Sequence, residues 1–138
     1  MSRLFAVLNV LGRMILIFGL TMIIPLGLAE WNDDGAREVF EKSIMITICS
    51  GFLMWLMTLH FKRELQTKDG FLLVVMVWSV LPIFAMLPFL FYLPQLNISM
   101  AYFEAMSGLT ATGATVLSGL DALPPSINLW RGEIIWLG

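Results

Sequence analysis

Three long apolar stretches dominate the chain, at positions 4–29, 39–61 and 71–93, with short polar runs between them. A helix needs ~20 apolar residues, each rising ~1.5 Å, to cross the ~30 Å hydrocarbon core of a bilayer. All three stretches reach that length, so the pattern predicts three membrane-spanning helices. No Asp, Glu, Lys, Arg or His occurs at positions 43–59 or 71–103. Arg13 is the one charge in the first stretch. At the bilayer centre it would cost ~2.5–3.5 kcal/mol. The helix is therefore expected to slide or tilt until the guanidinium reaches an interface, leaving residues 14–29 in hydrocarbon. Pro82, Pro88 and Pro94 lie in or after the third stretch. A kink near residues 82–88 is expected, with neighbouring groups satisfying the freed carbonyls.

The pattern changes after residue 96. Asn97 or Ser99 can cap a helix, and MAYFEAMSGL at 100–109 reads as a short one. Ten residues rise ~15 Å, half of a bilayer core. TATGAT follows at 110–115, all small residues without helical or strand amphipathicity. A Gly/Pro-rich return covers 116–125, and a new apolar pattern starts near residue 127 and runs to 138. A half-length helix and a small-residue stretch between two membrane segments fit a re-entrant loop. Non-helical backbone at membrane depth persists only when it is buried in protein or lines water.

Composition sharpens this reading. Hydrophobic residues make up 59% of the 138 positions and charged residues 13%, where a soluble domain carries ~25% charged residues. The expected fold class is an all-α polytopic membrane protein. Two N-terminal transmembrane helices (1–69) precede one helix–loop–helix unit (70–138) whose last helix is incomplete. A net charge of −2 leaves no basic field for nucleic acid. Cys49 is the only cysteine, so no intrachain disulfide or thiolate metal cluster can form, and it is expected to be a buried, packing thiol. The first apolar run reaches Ala29 without a small-x-small cleavage site, which marks a retained helix rather than a cleaved signal.

Charge also sets the orientation. Residues 30–42 hold five acids and two bases, with Trp31 suited to an interfacial belt. Residues 60–70 carry Lys62, Arg63 and Lys68, and the N-terminal region carries Arg3 and Arg13. The basic excess puts the N-terminus and the loop at 60–70 on the cytoplasmic side. The loop at 97–125 then enters from outside.

A monovalent cation crossing a membrane must exchange its hydration shell for oxygens at close range, and main-chain carbonyls can provide them. Such a strand needs small side chains, a Gly where φ is unusual for an L-residue, and hydroxyls that satisfy neighbouring amides. TATGAT has all three. The C-terminal end of the preceding helix carries partial negative charge, which favours a cation. Close helix packing is the competing use of small residues, with Gly108 and Gly113 as contact points. No phosphate-cradling loop, nucleophile–base pair or metal cluster occurs, so no enzyme is expected and no cofactor is implied beyond the ion itself.

The remaining polar residues weigh less. Glu104, inside the short helix, either attracts cations at an outer vestibule or bonds nearby amides and holds the loop. Asp121 and Glu133 read as solvated surface, and Arg131 as a headgroup anchor or a partner of Glu133. His60 is the only histidine, which leaves it an interfacial residue and not a haem ligand. Trp55, Trp78, Trp130 and Trp136 read as packing or lipid-facing side chains.

HFKRELQTKDGFLLVV at 60–75, LPFL at 87–90, AYFEAMSGLTATGATVLSGLDALPPSINLWR at 101–131 and WLG at 136–138 resemble the Trk-type potassium uptake proteins, the TrkH/TrkG branch of the Trk/Ktr/HKT superfamily. The resemblance implies a pore of four covalently joined helix–loop–helix repeats, in which backbone carbonyls from four loops hold potassium. It implies that Thr110, Ala111, Thr112, Gly113 and Ala114 form the first filter strand. Ala111 and Thr112 would offer carbonyls to the ion, and Gly113 would be the selectivity glycine. Many relatives have Thr at the position of Ala111, a change that a carbonyl ligand survives. The resemblance further implies a bacterial inner-membrane location, a homodimer and a cytosolic nucleotide-binding regulatory subunit of the TrkA type. One filter strand cannot surround an ion, so the chain is expected to be the N-terminal portion of a longer protein or a truncated product. A structural subunit of a membrane complex is the alternative.

Overall fold

A computed structural model describes residues 2–33, 35–61 and 64–138. Among these are seven α-helices and no strand: α1 (Ser2–Thr21), α2 (Ile23–Asn32), α3 (Arg37–Met57), α4 (Thr67–Ala85), α5 (Leu87–Tyr92), α6 (Ile98–Leu109) and α7 (Pro125–Leu137). A 3₁₀ turn, Leu120–Ala122, precedes α7. Three helical stretches, Arg3–Asn32, Arg37–Met57 and Thr67–Tyr92, are long and apolar enough to cross a membrane.

The first and third stretches are each broken, for the same reason. Pro25 has no N–H for the Thr21 carbonyl, and the ladder resets at Met22, whose N–H bonds the Gly19 carbonyl at 3.2 Å. The sequence pointed to a kink only near residues 82–88. Pro82 is absorbed inside α4, whereas Pro88, the second residue of α5, marks the break at Met86. That break frees the Ala85 carbonyl, and the indole of Trp130 donates to it at 3.0 Å. Trp130 is fully buried, with Phe18 and Phe40 meeting it edge-on at 5.6 and 6.5 Å between centroids. It therefore joins α1, α3, α4 and α7 at the centre of the core, a position that nothing in the sequence distinguished from that of its fellow tryptophans.

Helices α1 and α3 pack backbone to backbone. A Cβ on Gly12 would lie 2.9 Å from the Trp55 nitrogen, and one on Gly51 would lie 3.0 Å from the Gly12 carbonyl oxygen. The seam continues with Ser43 and Thr47, whose buried hydroxyls bond the carbonyls of Val39 and Ser43 one turn back on α3. Since Ser43, Thr47 and Gly51 form the inward face of α3, Cys49 lies on the opposite face and is exposed. The expectation of a buried thiol is thereby corrected.

Phe5 stacks on Phe61 at 4.3 Å, and Asn9 donates to the Thr58 hydroxyl at 3.1 Å. The start of α1 and the 58–61 turn therefore share one end of the bundle. Lys62 and Arg63, two of the charges that set the orientation, lie outside the described residues. At the start of α4 a capping box pairs Gln66 and Asp69, the Gln66 N–H donating to the Asp69 carboxylate at 2.9 Å.

Candidate functional site

Helix α6 starts at an Asn97 cap, whose side-chain oxygen accepts the Met100 N–H at 2.8 Å. The helix leans on α4, where the Tyr102 hydroxyl donates to the Ser79 carbonyl at 3.0 Å. Its last residue, Leu109, shares a cavity of about 130 Å³ with Met14 of α1, Val77 and Trp78 of α4, and Leu137. These α1 and α4 residues lie near the middle of the long helical stretches, so Arg13, next to Met14, sits near the middle of Arg3–Asn32 and not at one end as the sequence suggested. The chain then returns, and Val116–Gly119 meet Leu93, Gln95 and Leu96 around a cavity of about 380 Å³ at the end where α6 began. Residues 98–123 thus form a hairpin that descends halfway into the bundle and comes back.

The turn at its tip is closed by helix-terminal hydrogen bonds. The Ala111 N–H bonds the Gly108 carbonyl and the Thr112 N–H the Ser107 carbonyl, both at 2.9 Å. This is a Schellman ending, in which the residue after the cap adopts a left-handed conformation. Ala111 does so, at φ 55°. The Thr110 hydroxyl bonds the Met106 carbonyl at 2.7 Å and lies 2.8 Å from the Thr112 hydroxyl. Gly113 is also left-handed, at φ 78°, and a Cβ there would meet nothing within 4 Å. Its requirement for glycine is conformational. Gly108 is the opposite case, because a Cβ there would meet the Ile134 side chain of α7. Of the two glycines weighed as packing contacts, only Gly108 is one.

Among the described residues, the carbonyls of Thr110, Ala111, Thr112 and Gly113 accept no hydrogen bond, and all four residues are exposed. The Ala114 carbonyl differs, accepting the Ser107 hydroxyl at 2.6 Å. Four consecutive main-chain oxygens at the tip of a half-depth hairpin therefore have no hydrogen-bond partner among the described residues.

The upper part of the strand is held by Glu104, only 4% exposed. Its carboxylate accepts the Thr115 hydroxyl at 2.8 Å and the Val116 N–H at 3.1 Å. Arg131 of α7 pairs with it at 3.1 Å. Arg131 is thus neither a headgroup anchor nor a partner of Glu133, because the start of α7 packs against α6 and points this side chain inward. Glu133 is not simply solvated either, since its Oε2 is buried without a partner among the described residues. Asp121 and His60 are exposed, as expected. Thr115 lies in the TATGAT stretch singled out in the sequence, whereas Ser107 was not among the expected site residues. Ser107 lies one turn after Glu104 on the same face of α6, a spacing that could have revealed it. The Glu104–Arg131 pair spans 27 positions and leaves no local pattern.

The chain resembles known proteins over nearly its whole length. Residues 36–138 match the family model TrkH, described as a cation transport protein. The Trk system potassium uptake protein TrkH of Halomonas elongata is 41% identical over 133 residues, which cover 96% of this chain and 28% of that protein. TrkH of Escherichia coli K12 is 40% identical over the same shares, and TrkG of that strain is 30% identical over 99% of this chain and 28% of that protein. The crystal structure of the potassium transporter TrkH from Vibrio parahaemolyticus superposes with a TM-score of 0.89 at 36% identity, covering 96% of this chain and 29% of that one. The chain thus spans a little over a quarter of the length of the curated relatives it matches. The all-helical fold, the three long apolar helical stretches and these matches lead to one assignment: the chain is a polytopic membrane protein that belongs to the TrkH family of cation transport proteins.

Proposed function

We propose that residues 110–114 form one strand of a potassium-selective filter in an uptake protein of the bacterial inner membrane. The four unpartnered carbonyls of Thr110–Gly113 carry this reading. A potassium ion leaving water needs oxygen ligands that are already free and already oriented, and any carbonyl engaged in a hydrogen bond would first have to be released. Ala111 and Thr112 are the ion ligands in this proposal, with Thr110 and Gly113 flanking them. Ala114, bonded to Ser107, is the strand's anchored end. The C-terminal end of α6 adds partial negative charge at the site.

One strand supplies one side of an ion's coordination shell. The other three sides come from three further repeats of the same full-length chain. The names of the relatives support potassium as the cation. The shared end of Phe5 and Phe61 supports an N-terminus on the same side as the 60–70 loop, and the positive-inside rule makes that side cytoplasmic. A homodimer served by a TrkA-type cytosolic subunit completes the assembly.

The test is rubidium and sodium uptake by the full-length protein in uptake-deficient cells, with Gly113→Ala and Gly113→Ser. The expected result is a fall of about tenfold or more in rubidium-over-sodium discrimination, with normal amounts of protein in the membrane. Unchanged discrimination in both variants would rule the filter out. Lost assembly without an ion-specific change would favour the structural-subunit alternative.

A further inference from the structure

Within this chain, the strand that carries the free carbonyls is not wedged in place by packing at Gly113. Nothing lies within 4 Å of a Cβ built on Gly113, and a cavity of about 80 Å³ opens behind it, reached by Ser107, Ala114, Arg131 and Ile134. Within this chain, hydrogen bonds rather than steric contacts hold the residues on either side of Gly113. Below Gly113, residues 110–112 are tied to the end of α6 by the Schellman turn. Above it, the hydrogen-bonded tethers to α6 converge on one face of that helix, and Leu117 beyond them packs against the core. The Ser107 hydroxyl donates to the Ala114 carbonyl, while Glu104 takes the Thr115 hydroxyl and the Val116 N–H. The Thr115 hydroxyl also accepts the Leu117 N–H at 3.0 Å. Gly113, between the two tethered halves, makes no hydrogen bond among the described residues.

The upper tether has an outside partner. Arg131 approaches Glu104 at 3.1 Å from α7, and α7 is fixed in turn by Trp130 on the Ala85 carbonyl and by Ile134 against Gly108. We infer that the Arg131–Glu104 pair transmits the position of α7 to residues 114–116 and thereby sets how sharply the carbonyls of Thr110–Gly113 discriminate between cations. This rests on the filter reading given above. Neither residue touches the ion in this account, and both are positioning residues. A charged carboxylate accepting three donors, one of them cationic, holds its partners more tightly than neutral hydrogen bonds do. Without the charge, the strand keeps its neighbours but gains freedom to move into the cavity. A looser strand accommodates a smaller cation more readily, so selectivity falls before throughput does.

The experiment measures rubidium and sodium uptake per molecule of full-length protein for Glu104→Gln, Arg131→Gln, Arg131→Lys and the Glu104→Gln/Arg131→Gln double variant, beside Gly113→Ala. The glutamine variants are expected to lower rubidium-over-sodium discrimination about tenfold with rubidium uptake largely retained. The double variant should fall no further than either single one, because both remove the same link. Arg131→Lys should recover part of the loss. Discrimination unchanged in both single variants, while Gly113→Ala lowers it, would overturn this inference and leave the filter reading standing. Unchanged discrimination in Gly113→Ala as well would overturn both. Should Glu104→Gln fail to reach the membrane, Thr115→Val removes the same tether from the strand side and is expected to give the same fall. Unaltered discrimination there would count against the inference.

Discussion

Ala111 holds a left-handed backbone, φ 55°, that costs a residue with a Cβ ~1–2 kcal/mol. The Schellman turn demands that conformation, and glycine is its usual occupant. Ala111→Gly should therefore stabilise the folded protein by ~0.5–1 kcal/mol after the added freedom of the unfolded chain is counted. A raised thermal midpoint of the full-length protein in detergent would show this, and a lowered one would contradict it. Gly113 behaves in the opposite sense, because Gly113→Ala imposes the same strain where none exists. The glycine requirement at 113 was legible in the sequence. The strain at Ala111 was not, because alanine gives no sign of a positive φ. Glu104 was legible only as an alternative between vestibule and support. The support reading proposed above rests on its burial and its bonds to Thr115, Val116 and Arg131.

At the scale of elements, apolar run length located the long helices to within a few residues, and Pro88 announced the break at Met86. Pro25 carried the same information for the break at Met22, although the sequence reading placed a kink only in the third stretch. Helix pairing was less legible. Gly12 and Gly51 give no signal until α1 and α3 are laid together, where a Cβ on either would come within 3.0 Å of opposing backbone. Gly51→Leu should force the two helices apart and destabilise the protein by ~1–3 kcal/mol or more. Gly27→Leu, at a position with nothing within 4 Å, should have little effect. Comparison of the two thermal midpoints tests the seam. Trp130→Phe keeps the ring but leaves the Ala85 carbonyl without its donor, at a cost of ~1–3 kcal/mol. An unchanged midpoint there would show that the break between α4 and α5 is satisfied some other way.

For the whole molecule, the informative feature is a hairpin that stops halfway. The half-length helix, the small-residue strand and the return could be read from the sequence, because ten helical residues span only half a bilayer. What closes the hairpin against α7 depends on Arg131 meeting Glu104, a contact between distant segments that follows from packing alone. The proposed orientation rests on the shared end of Phe5 and Phe61 and on the basic residues of the sequence around it. A cysteine introduced at Gln95 should react with a membrane-impermeant thiol reagent from outside intact cells, and one at Lys68 only after the cells are opened. The reverse pattern would invert the topology. The most direct test of the central claim is diffraction from full-length protein crystals grown in rubidium, with the anomalous signal locating the ion. The account predicts a rubidium peak within coordination distance of the Ala111 and Thr112 carbonyls, on an axis shared with three other strands. Rubidium bound elsewhere in the protein, with these oxygens left to water, would contradict it.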